Sequence, residues 1–279
     1  MRGRDRRSSG GIQAALVTGA VVVLIGIGLP TAVGQTTPSP AFNPPKLDEI
    51  PAGPEGEAIR FGYEIVMETQ QHVKSFVGNA LSCRSCHLDA GRVPYAGPFV
   101  GVYAGMPEYR SRNAKMNTIE IRINDCFERS LNGKPLPYDS REMGALVSFM
   151  AWMSKGVPAG AMLPERGFAP LKGSRPGNLS NGKSLYATKC AGCHGTDGQG
   201  TPNAPPVWGP QSYNKGAGLA RVGIAASFIQ RNMPLGQAGT LTEEEAYDLA
   251  AFINSRPRPE FPGRLQDWPQ GGKPSDILY

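Results

Sequence analysis

The feature that most constrains this chain is a five-residue pattern that occurs twice, as Cys83-Arg-Ser-Cys86-His87 and Cys190-Ala-Gly-Cys193-His194. Two thiols at this spacing, with an imidazole directly after the second, suit covalent attachment of a c-type haem. The thiols of Cys83, Cys86, Cys190 and Cys193 would form thioethers with the porphyrin vinyl groups, and His87 and His194 would reach the iron. A zinc site would need further Cys or His ligands at comparable spacing, and outside the two units the chain has only His72 and Cys126. A dithiol redox motif has no use for a trailing His in both copies. Two covalent haem c groups are therefore expected.

The rest of the composition agrees with small domains built around such cofactors. With 36 Gly and 26 Pro in 279 residues, the chain is loop-rich, and small loop-rich domains commonly need a staple such as a metal cofactor. Each haem unit ends in a helical pattern. Asp139–Met153 places Met143, Leu146, Val147 and Met150 at helical spacing, with Asp139 and Glu142 as the expected capping box. Thr242–Ser255 repeats the arrangement with Ala246, Leu249, Ala250 and Ile253, capped by Thr242 and Glu245. The fold class expected is mainly α, two cytochrome c-like domains in tandem at 55–155 and 182–262. A Pro/Gly-rich linker (156–181) joins them, a Pro-rich leader (35–54) precedes them and a C-terminal tail (263–279) follows.

The N-terminus sets the compartment. A basic start, an apolar run from Ile12 to Val33 and small residues before Gln35 describe an export signal over residues 1–34. Its length also allows an uncleaved membrane anchor. Either way the body is expected outside the cytoplasm, in the periplasm. The formal charge is +6; residues 1–11 hold four Arg and one Asp, so the body is near +3, too mild to suggest a nucleic-acid partner.

The fifth cysteine, Cys126, belongs to neither unit. Haem iron takes a second axial ligand, commonly Met, and in the second unit Met233 is the obvious one. The intervals His194 to Met233 and His87 to Cys126 are both 39 residues, so Cys126 occupies the ligand position of the sister unit. Asn117 and Glu120 are expected to cap a helix running to Ser130, with Ile119, Ile123, Cys126 and Ser130 on one face. The competing ligands are Met106, Met116, Met143, Met150, Met153 and His72; a buried apolar role or an intermolecular disulfide are the other readings of the thiol. A thiolate lowers the potential of its iron where His/Met raises it, and it is also a nucleophile. Arg122 and Arg129 lie one turn either side of Cys126, and Arg92, Arg110, Arg112 and Lys115 precede it. Some of these should pair with haem propionates or acids, but Arg forks suit oxyanions, which points to a small sulfur oxyanion as substrate.

The segments "GNALSCRSCHLDAGRVPYAGPFVGVYAGMPEYRSRN", "IRINDCFERSLNGKPLP" and "CAGCHG…RNMP" resemble the dihaem thiosulfate dehydrogenases, periplasmic cytochromes c that couple two thiosulfates into tetrathionate. The likeness spans about Gly62 to Arg256; the haem motifs are generic and the Cys126 segment is specific. It implies His87/Cys126 ligation at an active-site haem and His194/Met233 at an electron-exit haem. It also implies that Arg112, Arg122 and Ser130 line the substrate pocket and that Cys126 carries a covalent thiosulfonate adduct. A soluble cytochrome c or iron–sulfur protein would accept the electrons. Some members have Lys directly before the second Met; Asn232 stands there in this chain. A plain dihaem electron carrier, or the same site run as a tetrathionate reductase, are the alternative functions.

Overall fold

The computed structural model describes residues 40–173 and 175–279; the N-terminal export or anchor segment falls outside them. No helix of the described residues is long and apolar enough to cross a membrane. In order, the helices are α1 (Gly53–Met67), α2 (Thr69–His72), α3 (Leu88–Gly91), α4 (Ile119–Arg129), α5 (Arg141–Met153), α6 (Leu179–Lys189), α7 (Ala191–His194), α8 (Val222–Asn232) and α9 (Glu243–Asn254). A two-stranded antiparallel hairpin, β1 (Glu108–Arg110) and β2 (Lys115–Asn117), precedes α4 with Tyr109 opposite Met116. The chain is mainly helical and folds as two cytochrome c domains.

Each domain is a pair of helices crossed at a glycine. In the first, α1 packs on α5, and a Cβ on Gly62 would lie 2.2 Å from the Ala145 carbonyl oxygen and 2.7 Å from Phe149 Cβ. In the second, α6 packs on α9, and a Cβ on Gly182 would lie 2.0 Å from the Asp248 carbonyl oxygen and 2.8 Å from Phe252 Cβ. Only a residue without a side chain allows so close an approach. The leading helices α1 and α6 are not among the elements legible in the sequence, which shows only the closing helices and the one through Cys126.

The closing helices form where the periodicity places them, and two of the three expected caps move by one residue. Thr242 and Glu245 make the reciprocal box on α9, with bonds of 3.1 and 2.9 Å. On α5 the cap is Ser140 rather than Asp139: the helix starts at Arg141, so the side chain that meets the N3 amide, Met143 N–H at 3.1 Å, is that of Ser140. On α4 it is Thr118 rather than Asn117, accepting from Ile121 N–H at 3.5 Å. Asn117 ends β2 instead, fully buried, and accepts from Asn113 Nδ2 at 2.9 Å.

The first core gathers Ile65, Val66, Phe127, Leu146, Phe149 and Met153. Tyr213, Ala217 and Ala220, which lie within the 182–262 stretch in sequence, pack with this first core. The second core is smaller, around Tyr186, Trp208, Leu249 and Phe252. Residues 263–279, read as a tail, are fastened to the first domain: Arg129 donates to both oxygens of Asp267 at 2.8 and 2.7 Å, and Trp268 N–H donates to the Arg112 carbonyl at 2.6 Å.

Candidate functional site

The apolar face of α4 turns into a cavity of about 670 Å³, in the usual range for cofactor and ligand pockets. Cys83, Cys86, His87 and Cys126 all line it, with Val66, Leu81, Phe99, Leu146 and Met150 as apolar wall. Ile119, Ile123, Cys126 and Ser130 are all on that wall, as their helical spacing of three and four residues requires. The wall does not come from one domain alone. Arg166 and Phe168 of the linker, Arg221 and Ile224 at the start of α8, and Trp268, Gly272 and Pro274 near the C-terminus complete it.

The donor set suits a covalent haem. His87 Nδ1 lies 2.5 Å from the Gly97 carbonyl oxygen, a bond that fixes the ring and leaves Nε2 directed elsewhere, the usual arrangement of a metal-binding imidazole. Burial pulls its imidazolium down to about 4, so the ring is held neutral, as ligation requires. Burial likewise pushes the Cys83 and Cys86 thiols up to about 11 and 12. In the second domain His194 Nδ1 makes the same kind of bond, to the Pro205 carbonyl at 2.8 Å. Cys190 and Met233 each pack against the second apolar cluster, with Met233 in extended conformation just past the end of α8.

The arginines around the first cavity divide by their partners. Arg110 and Arg166 share Glu108, at 2.7 and 2.5 Å. Arg129 is bidentate to Asp267, and Arg221 pairs with Asp276 at 2.9 Å. Arg112 has only a long approach of its Nε to Asp267, 3.7 Å, besides donating to the Gly216 carbonyl at 2.8 Å. Arg122 pairs with no carboxylate among the described residues; its Nη1 lies 3.5 Å from Cys126 Sγ, and the Cys126 thiolate beside it holds the guanidinium above its ordinary range. Two guanidinium groups thus retain charge for an anion.

Not every residue singled out from the sequence comes to the cavity. Arg92 is tied to Asp89 at 3.0 Å and is absent from the wall, and Lys115 is exposed on β2. Among the rival ligands, Met143 and Met153 are core, and His72 lies edge-on to Phe61 at 5.6 Å. Met106 and Met150 share the cavity wall with Cys126. Sequence reasoning missed Asp125, Arg166, Arg221 and Trp268 on that wall. Asp125 was legible in principle, one residue from Cys126; the other three reach the site only through long-range packing.

Two crossed-helix domains, each carrying a pair of cysteines three residues apart and a carbonyl-anchored histidine, define a dihaem c-type cytochrome. A family model for the SoxA/TsdA cytochrome c domain matches residues 71–159, and one for cytochrome c matches 179–257. The chain is 42% identical to a thiosulfate dehydrogenase of Psychrobacter arcticus, over 88% of this chain and 78% of that protein. It is 40% identical to one of Allochromatium vinosum, over 87% and 93%. It therefore belongs to the thiosulfate dehydrogenase family and carries two covalently bound haem c groups. A solved thiosulfate dehydrogenase (TsdBA) from Marichromatium purpuratum superposes with a TM-score of 0.74 at 38% identity, over 78% of this chain; this chain spans half the length of that one.

Proposed function

We propose that this protein is a thiosulfate dehydrogenase, joining two thiosulfates into tetrathionate at the first unit, residues 55–155, and passing electrons out through the second, residues 182–262. His87 with Cys126 and His194 with Met233 would hold the two irons. The observation that carries the reading is a cavity holding Cys126 Sγ and Arg122 Nη1 3.5 Å apart, walled by both attachment cysteines and His87. Kinship with proteins named thiosulfate dehydrogenase over nearly the whole described chain supports it.

Thiosulfate arrives as a dianion. Arg122 and Arg112, the cavity arginines least committed to carboxylates, neutralise it, and Ser130 on the same wall offers a hydroxyl donor. Cys126 gives up its place as ligand, and its thiolate, beside the Arg122 guanidinium at 3.5 Å, bonds to the sulfane sulfur. Loss of two electrons leaves Cys–S–S–SO₃⁻. When bound, the two haems supply acceptors that each hold one of those electrons. A second thiosulfate then attacks the sulfane sulfur, the Cys126 thiolate leaves, and tetrathionate is released with charge balanced. Apolar residues such as Phe99, Leu81 and Ile123 keep water from the adduct.

A soluble cytochrome c or an iron–sulfur protein collects the electrons singly, in the periplasm, with membrane attachment only where the N-terminal segment is retained. The test is reduction of the purified dihaem protein by thiosulfate, followed in the haem absorbance bands, with tetrathionate assayed as product. Reduction by dithionite but not by thiosulfate would return the chain to a plain electron carrier.

A further inference from the structure

Trp268 is the wall residue whose role the reaction leaves unexplained. Its ring faces Arg112, with the guanidinium carbon 4.7 Å from the ring centroid, and its backbone N–H donates to the Arg112 carbonyl at 2.6 Å. The backbone at Trp268 is left-handed, with φ 54°, a conformation that a bulky side chain adopts only where its surroundings impose it. The preceding residue supplies the constraint. Asp267, whose side chain is 2% exposed, spends both oxygens on Arg129 and accepts a further bond from Tyr279.

The dipeptide therefore treats its two arginines differently. Arg129 is fully neutralised by a bidentate pair. Arg112 is left with a carboxylate at 3.7 Å, the Gly216 carbonyl on Nη1, and the aromatic face. A ring face attracts a guanidinium without offering an acceptor that would compete with an incoming oxyanion. Arg112 Nη2 has no hydrogen-bond partner among the described residues, and both Arg112 and Trp268 are on the cavity wall.

We infer that Trp268 is a positioning residue for substrate: it pre-orders Arg112 so that its free N–H groups meet the anion in the cavity. The inference rests on the thiosulfate reading of this cavity. It assigns the C-terminal segment a part in substrate affinity, through a residue that does not itself contact the reacting sulfur.

Trp268→Leu and Trp268→Phe in the dihaem holoprotein test it. Leucine fills the space without a ring face, and KM for thiosulfate should rise about three- to ten-fold with kcat near native. Phenylalanine keeps a face and should restore most of the affinity. Haem content and both midpoint potentials should stay native in each, and Trp268→Leu added to Arg112→Gln should raise KM no further. Should the leucine variant not assemble, fluorinated tryptophan, which weakens the ring's attraction for cations at constant shape, should raise KM in the native chain and not in Trp268→Phe. An unchanged KM in these comparisons overturns the inference, as does a shifted haem potential at unchanged KM, which would mean that Arg112 and Trp268 serve the haem. If the native holoprotein neither binds nor oxidises thiosulfate, the substrate reading falls and takes this inference with it; native activity with an unresponsive Trp268 overturns the inference alone.

Discussion

The two haem units share a skeleton and differ in what surrounds it. Both cross their terminal helices at a glycine, Gly62 and Gly182, and both anchor the histidine Nδ1 on a backbone carbonyl, of Gly97 and Pro205. Both place a sulfur-bearing side chain 39 residues after that histidine. In the second unit the sulfur is Met233, past a helix end and against apolar residues. In the first it is Cys126, inside α4, with a guanidinium 3.5 Å away and five further arginines on the cavity wall. A c-type scaffold by itself moves electrons; chemistry on an anion needs a nucleophile and positive charge, and the first unit has both. The rest of the wall comes from outside the unit, from the linker, α8 and the C-terminal segment.

The largest expected effect erases that difference. Cys126→Gly should keep both haems, since neither attachment motif is touched, and should lower thiosulfate oxidation by on the order of 10³-fold or more, as loss of a nucleophile does. Cys126→Met makes the two units alike and should give a first iron of higher potential with equally little activity. A Cys126→Met protein oxidising thiosulfate at the native rate would remove covalent catalysis from the mechanism. Steady-state assays beside a spectroelectrochemical titration measure both.

The shared skeleton is tested at its crossings. Gly62→Ala and Gly182→Ala each drive a methyl into a carbonyl oxygen, so each should destabilise its own domain by about 3 kcal/mol or more. Denaturant unfolding followed at the haem bands would detect it. If one glycine tolerates alanine, the two crossings are not equivalent.

Next in size is the charge that separates the cavities. Arg122→Gln removes a hydrogen bond to a charged group, commonly about 1.5–3 kcal/mol, so kcat/KM for thiosulfate should fall about tenfold or more with haem content normal. Unchanged kinetics would mean that Arg122 serves only the haem. The smallest effect concerns the closing helices. Thr242→Ala removes the bond from Glu245 N–H but leaves the Thr242 backbone N–H on Glu245, whereas Ser140→Ala removes both the bond from Met143 N–H and the one Ser140 Oγ donates to the Pro137 carbonyl, so each should cost about 1 kcal/mol, with Ser140 the larger. Thermal melts of the two variants should rank them in that order.

What the sequence showed was local. The haem motifs, the Cys126 position and the faces of α4, α5 and α9 follow from spacing along one stretch of chain. Helix α6 escaped notice because only Gly182 and Tyr186 of it are buried, which leaves almost no apolar periodicity to read. Asp139 and Asn117 each fit a capping box with the Glu three residues on, yet the cap falls to whichever residue directly precedes the first turn. The arginines were indistinguishable in sequence. Their partners Asp89, Glu108, Asp267 and Asp276 separate them, and the last two lie more than a hundred residues from most of the cavity.

The wall of the first cavity also has an order in time. Cys83, Cys86 and His87 are synthesised early, whereas Phe168, Ile224 and Trp268, which close the same space, come up to about 180 residues later, and chains are made and generally fold from the N-terminus onward. The first attachment site is therefore born open and stays unroofed while the second domain is being made. The residues that would hold the first haem thus emerge before those that close the cavity over them.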